Sequence, residues 1–443
     1  MSKRRTKLYV VLPAQGLTSE ALTIKALSQS HEVLRLKDIV GDFRSASGKN
    51  RIWSSGEDVS LPFMKDSMED DYELGEVIDS FLDDGPKLVK LSAEGERILR
   101  AGAFRLVPIT KYQLQVASAP VILFSSPETG SAVAGYNDFL RTHFSEPLSS
   151  ASSPKGEGVT VAVVDSGVDG NHSRLAGRVT GGRCTVQGEN PLDWGACSTD
   201  KGAHGTHVAG IICAGGDPSS GPVGVAPGAK VRSYRVFPKD MSDGASNYSI
   251  IQAIRAAVED GCDIINLSLG GRAAKDDGVR DAVNYAWVNG SVCIAAAGND
   301  KRRPVSYPAA HHNCIAVSAI GRVGTFPPGS TGQTFVSSPF ASSDQNIFLA
   351  SFSNIGPQID LTGPGVWIVS TLPNGEIGAM SGTSMASPAV AGFAAVVLSR
   401  NLNILNAKRD EQRSHAILQS VLSRSTQVGL GSFDYEGYGL PRV

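Results

Sequence analysis

From residue 159 onward, nearly continuous apolar, β-branched runs alternate with segments of helical period. The runs are VTVAVV at 159–164, KVRSYRVF at 230–237, DIINLSL at 263–269, SVCIAAA at 291–297 and CIAVSAI at 314–320. Uninterrupted runs, in place of strict in-out alternation, mark strands buried on both faces. Helices are predicted between them at Ser249–Glu259 and Gly278–Asn289. Such alternation predicts an α/β region with a mostly parallel sheet and helices on both faces. Ligands of these sheets bind beyond the carboxyl ends of the strands, so chemistry is to be sought there.

The first 120 residues have a different texture. Strands are predicted at Lys7–Pro13, Glu32–Leu36, Leu88–Leu91 and Ala103–Ile109, and helices at Ser19–Ser28 and Ala93–Arg100. The β-α-β…β-α-β order suits a small split βαβ, ferredoxin-like α+β domain. An acidic stretch, DSMEDDYELGEVIDSFLDDG at 66–85, reads as a solvated helix face. Residues 118–145 give no clear pattern. The Ser/Pro/Gly run at 147–158 reads as a linker.

Composition narrows the class. Of 443 residues, 41% are apolar and 19% charged, which excludes a wholly disordered chain and a coiled coil. The 41 basic and 43 acidic side chains leave a net charge of -2, so no basic excess points to nucleic acid or an anionic membrane. The start, MSKRRTKLYVVLPAQGL, imitates a secretory leader. Its apolar stretch is short and no small-residue cleavage site follows, so it reads as a first strand and a cytoplasmic location is expected. The most apolar later stretch, Pro388–Leu398, is too short to span a membrane. Six cysteines are too few for a disulfide scaffold, and none has metal-site spacing. Cys213, Cys262, Cys293 and Cys314 lie in or beside apolar runs and read as buried thiols. Cys184 and Cys197 bracket a polar loop; they suit either a disulfide in an oxidising compartment or free thiols, and free thiols are expected.

Three strand-end or helix-start segments carry candidate chemistry. The first run ends in Asp165-Ser166-Gly167, HGTHVAG at 204–210 opens an apolar helix, and SGTSMASPAVAG at 381–392 leads into another. An Asp, a His and a Ser supply what a hydroxyl nucleophile needs: an attacking oxygen, a base that takes and returns its proton, and an acid that fixes the base. A helix N-terminus at Ser384 favours developing negative charge. Each segment alone is weak, since strand-end Asp residues cap turns and GTS often only caps a helix. Their conjunction is the signal.

The blocks DSGVD, HGTHVAG and SGTSMASP resemble the signatures around the Asp, His and Ser of subtilisin-like serine proteases (subtilases, peptidase family S8). VGVAPGAKV, INLSLGG, AAAGN, SFSNIGP, LTGPGV and EGYGL follow in family order, so the resemblance covers about residues 150–443. It implies a subtilisin-like three-layer α/β peptidase domain at 159–443, a linker and start of the mature chain at 119–158, and a ferredoxin-like propeptide domain at 1–118. It implies a serine endopeptidase acting on protein or peptide substrates through an acyl-enzyme. Asp165 is then the orienting acid, His204 the general acid/base and Ser384 the nucleophile, with His207 structural. Asn299 and the Ser384 N–H form the oxyanion hole. Ser268, Leu269 and Gly270 pair with an extended substrate, and Asn266 is structural.

No organic cofactor is implied. The family often holds calcium beside the catalytic Asp, but Arg174 stands where a ligand Asp is usual, and 214–227 offers only Asp217. That site is expected to be absent; a different, weaker one is left open. Lys301, Arg302 and Arg303 suit either a preference for acidic substrate residues or a solvated loop. Residues 321–347 look like an insertion, either a lid or recognition loop or a surface excursion. The N-terminal domain is expected to be an intramolecular inhibitor released by self-cleavage between about 110 and 125, or else a permanent accessory domain. Three rivals remain: an acid-acting serine-carboxyl peptidase, which lacks HGTHVAG; a silent binding protein on a protease fold; and a non-proteolytic serine hydrolase.

Overall fold

The computed structural model describes residues 7–13, 33–35, 51–54, 57–60, 73–79, 86–101, 104–118, 120–124, 139–145, 154–197, 200–271 and 276–442. The chain divides into two compact units, one of residues 1–110 with 276–278, the other of 111–275 with 279–443.

The smaller unit has strands β1 (Lys7–Pro13), β2 (Val33–Arg35), β3 (Arg51–Ser54), β4 (Glu57–Ser60), β5 (Glu73–Asp79) and β6 (Lys87–Leu91). Helix α1 (Ala93–Ala101) and strand β7 (Phe104–Pro108) complete it. Five strands form one antiparallel sheet in the order β2-β5-β6-β1-β7, with β1 between β6 and β7. Reading β7-β1-β6-β5 gives the strand order of a split βαβ arrangement, with β2 added at the edge. Val10, Leu88, Val89, Leu91 and Leu99 form its buried core. The predicted helix at 19–28 lies outside the described residues. One expectation is corrected: the acidic stretch is not a helix face throughout, because Glu73–Asp79 is a strand paired to β6 through Gly75↔Leu91 and Val77↔Val89. Leu74 and the β-branched Val77 and Ile78 favour a strand there, and the pairing partner lies outside the window in which charge dominates.

The larger unit is built on a mostly parallel sheet. Its elements begin with β8 (Lys111–Leu114), β9 (Val121–Phe124), β10 (Thr160–Asp165), β11 (Val179–Cys184), α2 (His204–Cys213), β12 (Lys230–Arg235), β13 (Ala245–Ser246) and α3 (Asn247–Glu259). They continue with β14 (Ile264–Leu267), β15 (Leu269–Gly270), α4 (Asp277–Val288), β16 (Val292–Ala296), β17 (Cys314–Arg322) and β18 (Ile347–Leu349). Next come β19 (Ile359–Pro364), β20 (Ile368–Thr371), β21 (Ile377–Met380) and α5 (Thr383–Ser399), then α6 (Leu402–Leu405), α7 (Glu411–Leu422), β22 (Ser425–Thr426), α8 (Phe433–Glu436) and β23 (Leu440–Pro441). The main sheet runs β11-β12-β10-β14-β16-β17; β19 joins β17 in parallel, and β18 joins it antiparallel. All five apolar runs read from the sequence are strands of it. After β10 the chain builds toward one edge, and after β14 toward the other. The strand order therefore reverses between β10 and β14, where a crevice opens at the carboxyl ends.

Helix α5 packs on β14, β16, β17 and β19, and on α2. Every residue of α2 and of α5 is buried, which explains their small and apolar sequences. The insertion at 321–347 is tied down. Its Phe326 ring meets Phe348 edge-on, Arg322 pairs with Asp344 at 3.0 Å, and Arg302 donates to Ser337 Oγ and to the carbonyls of Ser338, Leu349 and Ala350. Arg302 is thus spent inside the protein, so neither a solvated loop nor a substrate contact describes it. Among the described residues, no helix is long and apolar enough to cross a membrane.

Candidate active site

Asp165 ends β10 with its side chain fully buried. Its Oδ1 accepts from the Ser166 N–H at 2.7 Å, and Oδ1 and Oδ2 accept from His204 Nδ1 at 2.8 and 3.0 Å. A carboxylate only accepts, so the His204 proton sits on Nδ1 and the lone pair on Nε2. His204 opens α2, and the helix comes this close because Gly205 lacks a side chain: a Cβ there would lie 2.3 Å from the Gly167 carbonyl oxygen. His204 Nε2 is buried with no hydrogen-bond partner. One turn on, His207 Nε2 donates to the carbonyls of Ile368 and Gly378 at 3.0 and 3.2 Å, clamping β20 to β21. Burial, with the nearby His204 second, pushes its pKa down to about 3, so it stays a neutral clamp.

Ser384 is the second residue of α5. Pro388, one turn later, has no N–H to give the Ser384 carbonyl. Ser268 Oγ donates to that carbonyl instead, at 2.9 Å, while Ser384 Oγ donates to the Ser268 carbonyl at 2.8 Å. Asn266 Nδ2 donates to Ser268 Oγ at 2.9 Å and its Oδ1 accepts from Ser387 Oγ at 2.8 Å, bridging β14 to α5. Asn299 Oδ1 accepts from the N–H and the hydroxyl of Thr383 at 3.0 and 2.9 Å. That fixes the amide so that Nδ2 is the free end, and Nδ2 is buried without a partner.

A segment of the chain itself runs through this crevice. Strand β8 lies antiparallel between β13 and β15, with Tyr112↔Ala245, Gln113↔Gly270 and Leu114↔Leu269. The Gln115 N–H donates to the Ser268 carbonyl at 3.2 Å, and the Gln115 carbonyl accepts from the Ser384 N–H at 3.1 Å. Gly382 makes room for it, since a Cβ there would lie 2.5 Å from that carbonyl oxygen. Ala117 N–H then bonds the Ser381 carbonyl at 2.7 Å, and β9 pairs with β21. Tyr112 is buried completely. The Gln115–Val116 peptide bond thus lies at the amino end of α5.

A family model described as the subtilase family matches residues 156–439. The chain belongs to the subtilase family. Thermitase of Thermoactinomyces vulgaris is 38% identical over 254 residues, 57% of this chain and 80% of the relative. Subtilisin DY of Bacillus licheniformis is 35% identical over 294 residues, 65% of this chain and 90% of its own. Subtilisin E of Bacillus subtilis (strain 168) is 39% identical over 295 residues, 65% of each chain. This subtilase is accordingly a serine endopeptidase of the subtilisin-like type, with the three-layer α/β peptidase fold.

Several residues of this subtilase's site escape a reading of its sequence. Asn354, in the SFSNIGP block, accepts from Asp300 N–H at 2.8 Å and donates to the Pro304 carbonyl and Ser306 Oγ, holding the loop that carries Asn299. Ala245 and Ser246 form the second edge against β8. Arg174 is buried, and its guanidinium donates to the carbonyls of Gly215, Asp217 and Pro222 and to Ser220 Oγ, at 2.8–3.5 Å. Asp217 turns its carboxylate back to the Ser219 N–H. Among the described residues, no three His, Cys, Asp or Glu side chains cluster as metal ligands do. The six cysteines are free and buried, and burial raises the Cys213 thiol to about 12.

Proposed function

We propose that this subtilase cuts peptide bonds through Asp165, His204 and Ser384, and that its own Gln115–Val116 bond is the first it cuts. Self-processing precursors are typical of the family. The observation that carries the reading is the Gln115 carbonyl on the Ser384 N–H, with the flanking chain paired as an extended strand. Ser384 rotates about Cα–Cβ away from the Ser268 carbonyl and gives its proton to His204 Nε2 as Oγ bonds the Gln115 carbonyl carbon. Asp165 holds the imidazolium that forms. The oxyanion accepts from Ser384 N–H and Asn299 Nδ2, a preformed donor pair. Collapse breaks the C–N bond, and His204 returns the proton to the Val116 amine. Water then hydrolyses the ester by the same steps. Ser268, Leu269 and Gly270 serve substrates as they serve residues 113–115, by strand addition.

In this reading the residues before Val116 act as an intramolecular inhibitor, with 111–115 filling the cleft. We also propose that the 215–222 loop takes no calcium, because the Arg174 guanidinium already occupies its ring of oxygens. The processing is tested by intact masses of purified wild type and Ser384→Ala after incubation at neutral pH. Wild type should yield a chain beginning at Val116, and the variant should stay whole. Wild type that stays whole while digesting casein would overturn the self-processing and leave a permanent accessory domain.

A further inference from the structure

Resting on the peptidase reading, we propose that the residue on the acyl side of the cut bond is selected as a carboxamide, glutamine first. The selection is made by main-chain groups of Gly270 and Asn299. Gln115 Nε2 donates to the Gly270 carbonyl at 3.1 Å, and Oε1 accepts from the Asn299 N–H at 3.1 Å. The cleft thus offers one acceptor and one donor to one carboxamide, and Nε2 also donates to the Gln113 carbonyl within the segment at 3.4 Å. Neither can turn to suit another side chain. Gly270 precedes Gly271, whose N–H and carbonyl both bond Tyr307, at 2.9 and 3.2 Å, and Asn299 sits on the loop held by Asn354. A Cβ on Gly270 would lie 3.0 Å from Gln115 Nε2 and 3.2 Å from Ser306 Cβ, so the passage fits this side chain closely.

The alternatives each leave something unmatched. A glutamate places a charged acceptor against the Gly270 carbonyl. A lysine offers nothing to the Asn299 N–H. A leucine leaves both main-chain groups without a partner. Sites built to bond a polar group reject analogues that lack it, because their own groups are left unpaired. This site is only partly buried, so the expected discrimination is about tenfold per alternative, far below that of a sealed pocket. Asn299 also carries the side-chain donor for the oxyanion, which places recognition and chemistry on one residue.

The test uses the full chain as purified, with active sites counted by a fluorophosphonate, and peptides Tyr-Gln-Leu-X bearing a p-nitroanilide. X is Gln, Glu, Leu or Lys. The expected result is a kcat/KM for Gln about tenfold above each of the others at pH 8. Lowering the pH to 5 should narrow the Gln-to-Glu ratio, because a protonated carboxyl regains one donor and one acceptor, and leave the Gln-to-Leu ratio unmoved. Labelled enzyme that turns over the Leu or Glu peptide as well as the Gln peptide overturns the preference and spares the peptidase reading. Protein that neither cuts its own chain, nor labels, nor digests casein overturns both.

Discussion

Two places in the larger unit hold polar groups away from water and treat them in opposite ways. Around Arg174, three carbonyls and a hydroxyl all meet one guanidinium. Around Ser384, His204 Nε2 and Asn299 Nδ2 are buried and meet nothing. Leaving a buried polar atom unpaired costs about 1–3 kcal/mol, and in the proposed mechanism both atoms gain their partners during the reaction at Ser384. The two Nε2 atoms on one helix show the same contrast: that of His207 donates to two carbonyls, although its Nδ1 is also buried without a partner.

The largest expected effect breaks the unsatisfied side. Asn299→Ala removes Nδ2, and kcat should fall about 10²–10³-fold with KM little changed, as for other oxyanion donors. The bonds from Thr383 to Oδ1 are lost as well, so a cost to folding of about 1 kcal/mol accompanies it. Asn299→Asp separates the two, since it keeps an acceptor for Thr383 and removes the donor. Steady-state kinetics beside thermal melts decide the matter. A loss confined to stability, with kcat intact, would place Asn299 among the structural groups.

Much of this contrast can be read from the chain alone. Asp165 closes an apolar β-branched run, His204 and Ser384 each stand at the start of an apolar helix, and the conjunction of the three segments singles them out. The parallel sheet is legible for the same reason, because strands buried on both faces must be apolar throughout. What pattern misses is non-local pairing. Glu73–Asp79 looks like a charged surface until its ladder with Lys87–Leu91 is known. The segment 111–117 contains nothing that announces its pairing partners; its register comes from Ala245, Gly270 and Ser384, far away in sequence. Partners that are carbonyls leave no side-chain trace, so Arg302 reads as a free cation and is in fact pinned to four oxygens. Arg174 is half legible: the sequence places a cation at a position where the family usually has an acid, but not the oxygens it binds.

On the satisfied side, Arg174→Ala strips four oxygens of their donor. Stability should drop by about 2–4 kcal/mol, a fall in Tm of roughly 5–10 °C, while kcat/KM at permissive temperature stays near wild type. An unchanged Tm would mean that the guanidinium contributes nothing to holding the loop.

The smallest expected effect is none at all, and it is the sharpest check on what Arg174 replaces. A cation that binds only the folded state at a hundred times its Kd stabilises by about 2.7 kcal/mol, a shift of several degrees. In the wild type the oxygens that would bind it face a fixed positive charge, so a chelator or millimolar calcium should leave Tm where it was. Arg174→Asp reverses the charge and offers a carboxylate beside the same carbonyls, the hard oxygen donors that calcium takes. That variant should be less stable than wild type in chelator and should recover part of the loss when calcium is added. Calcium that raises the wild-type Tm by several degrees would show that the family's usual cation is still bound. Arg174 would then be one more surface-loop contact and no internal cation.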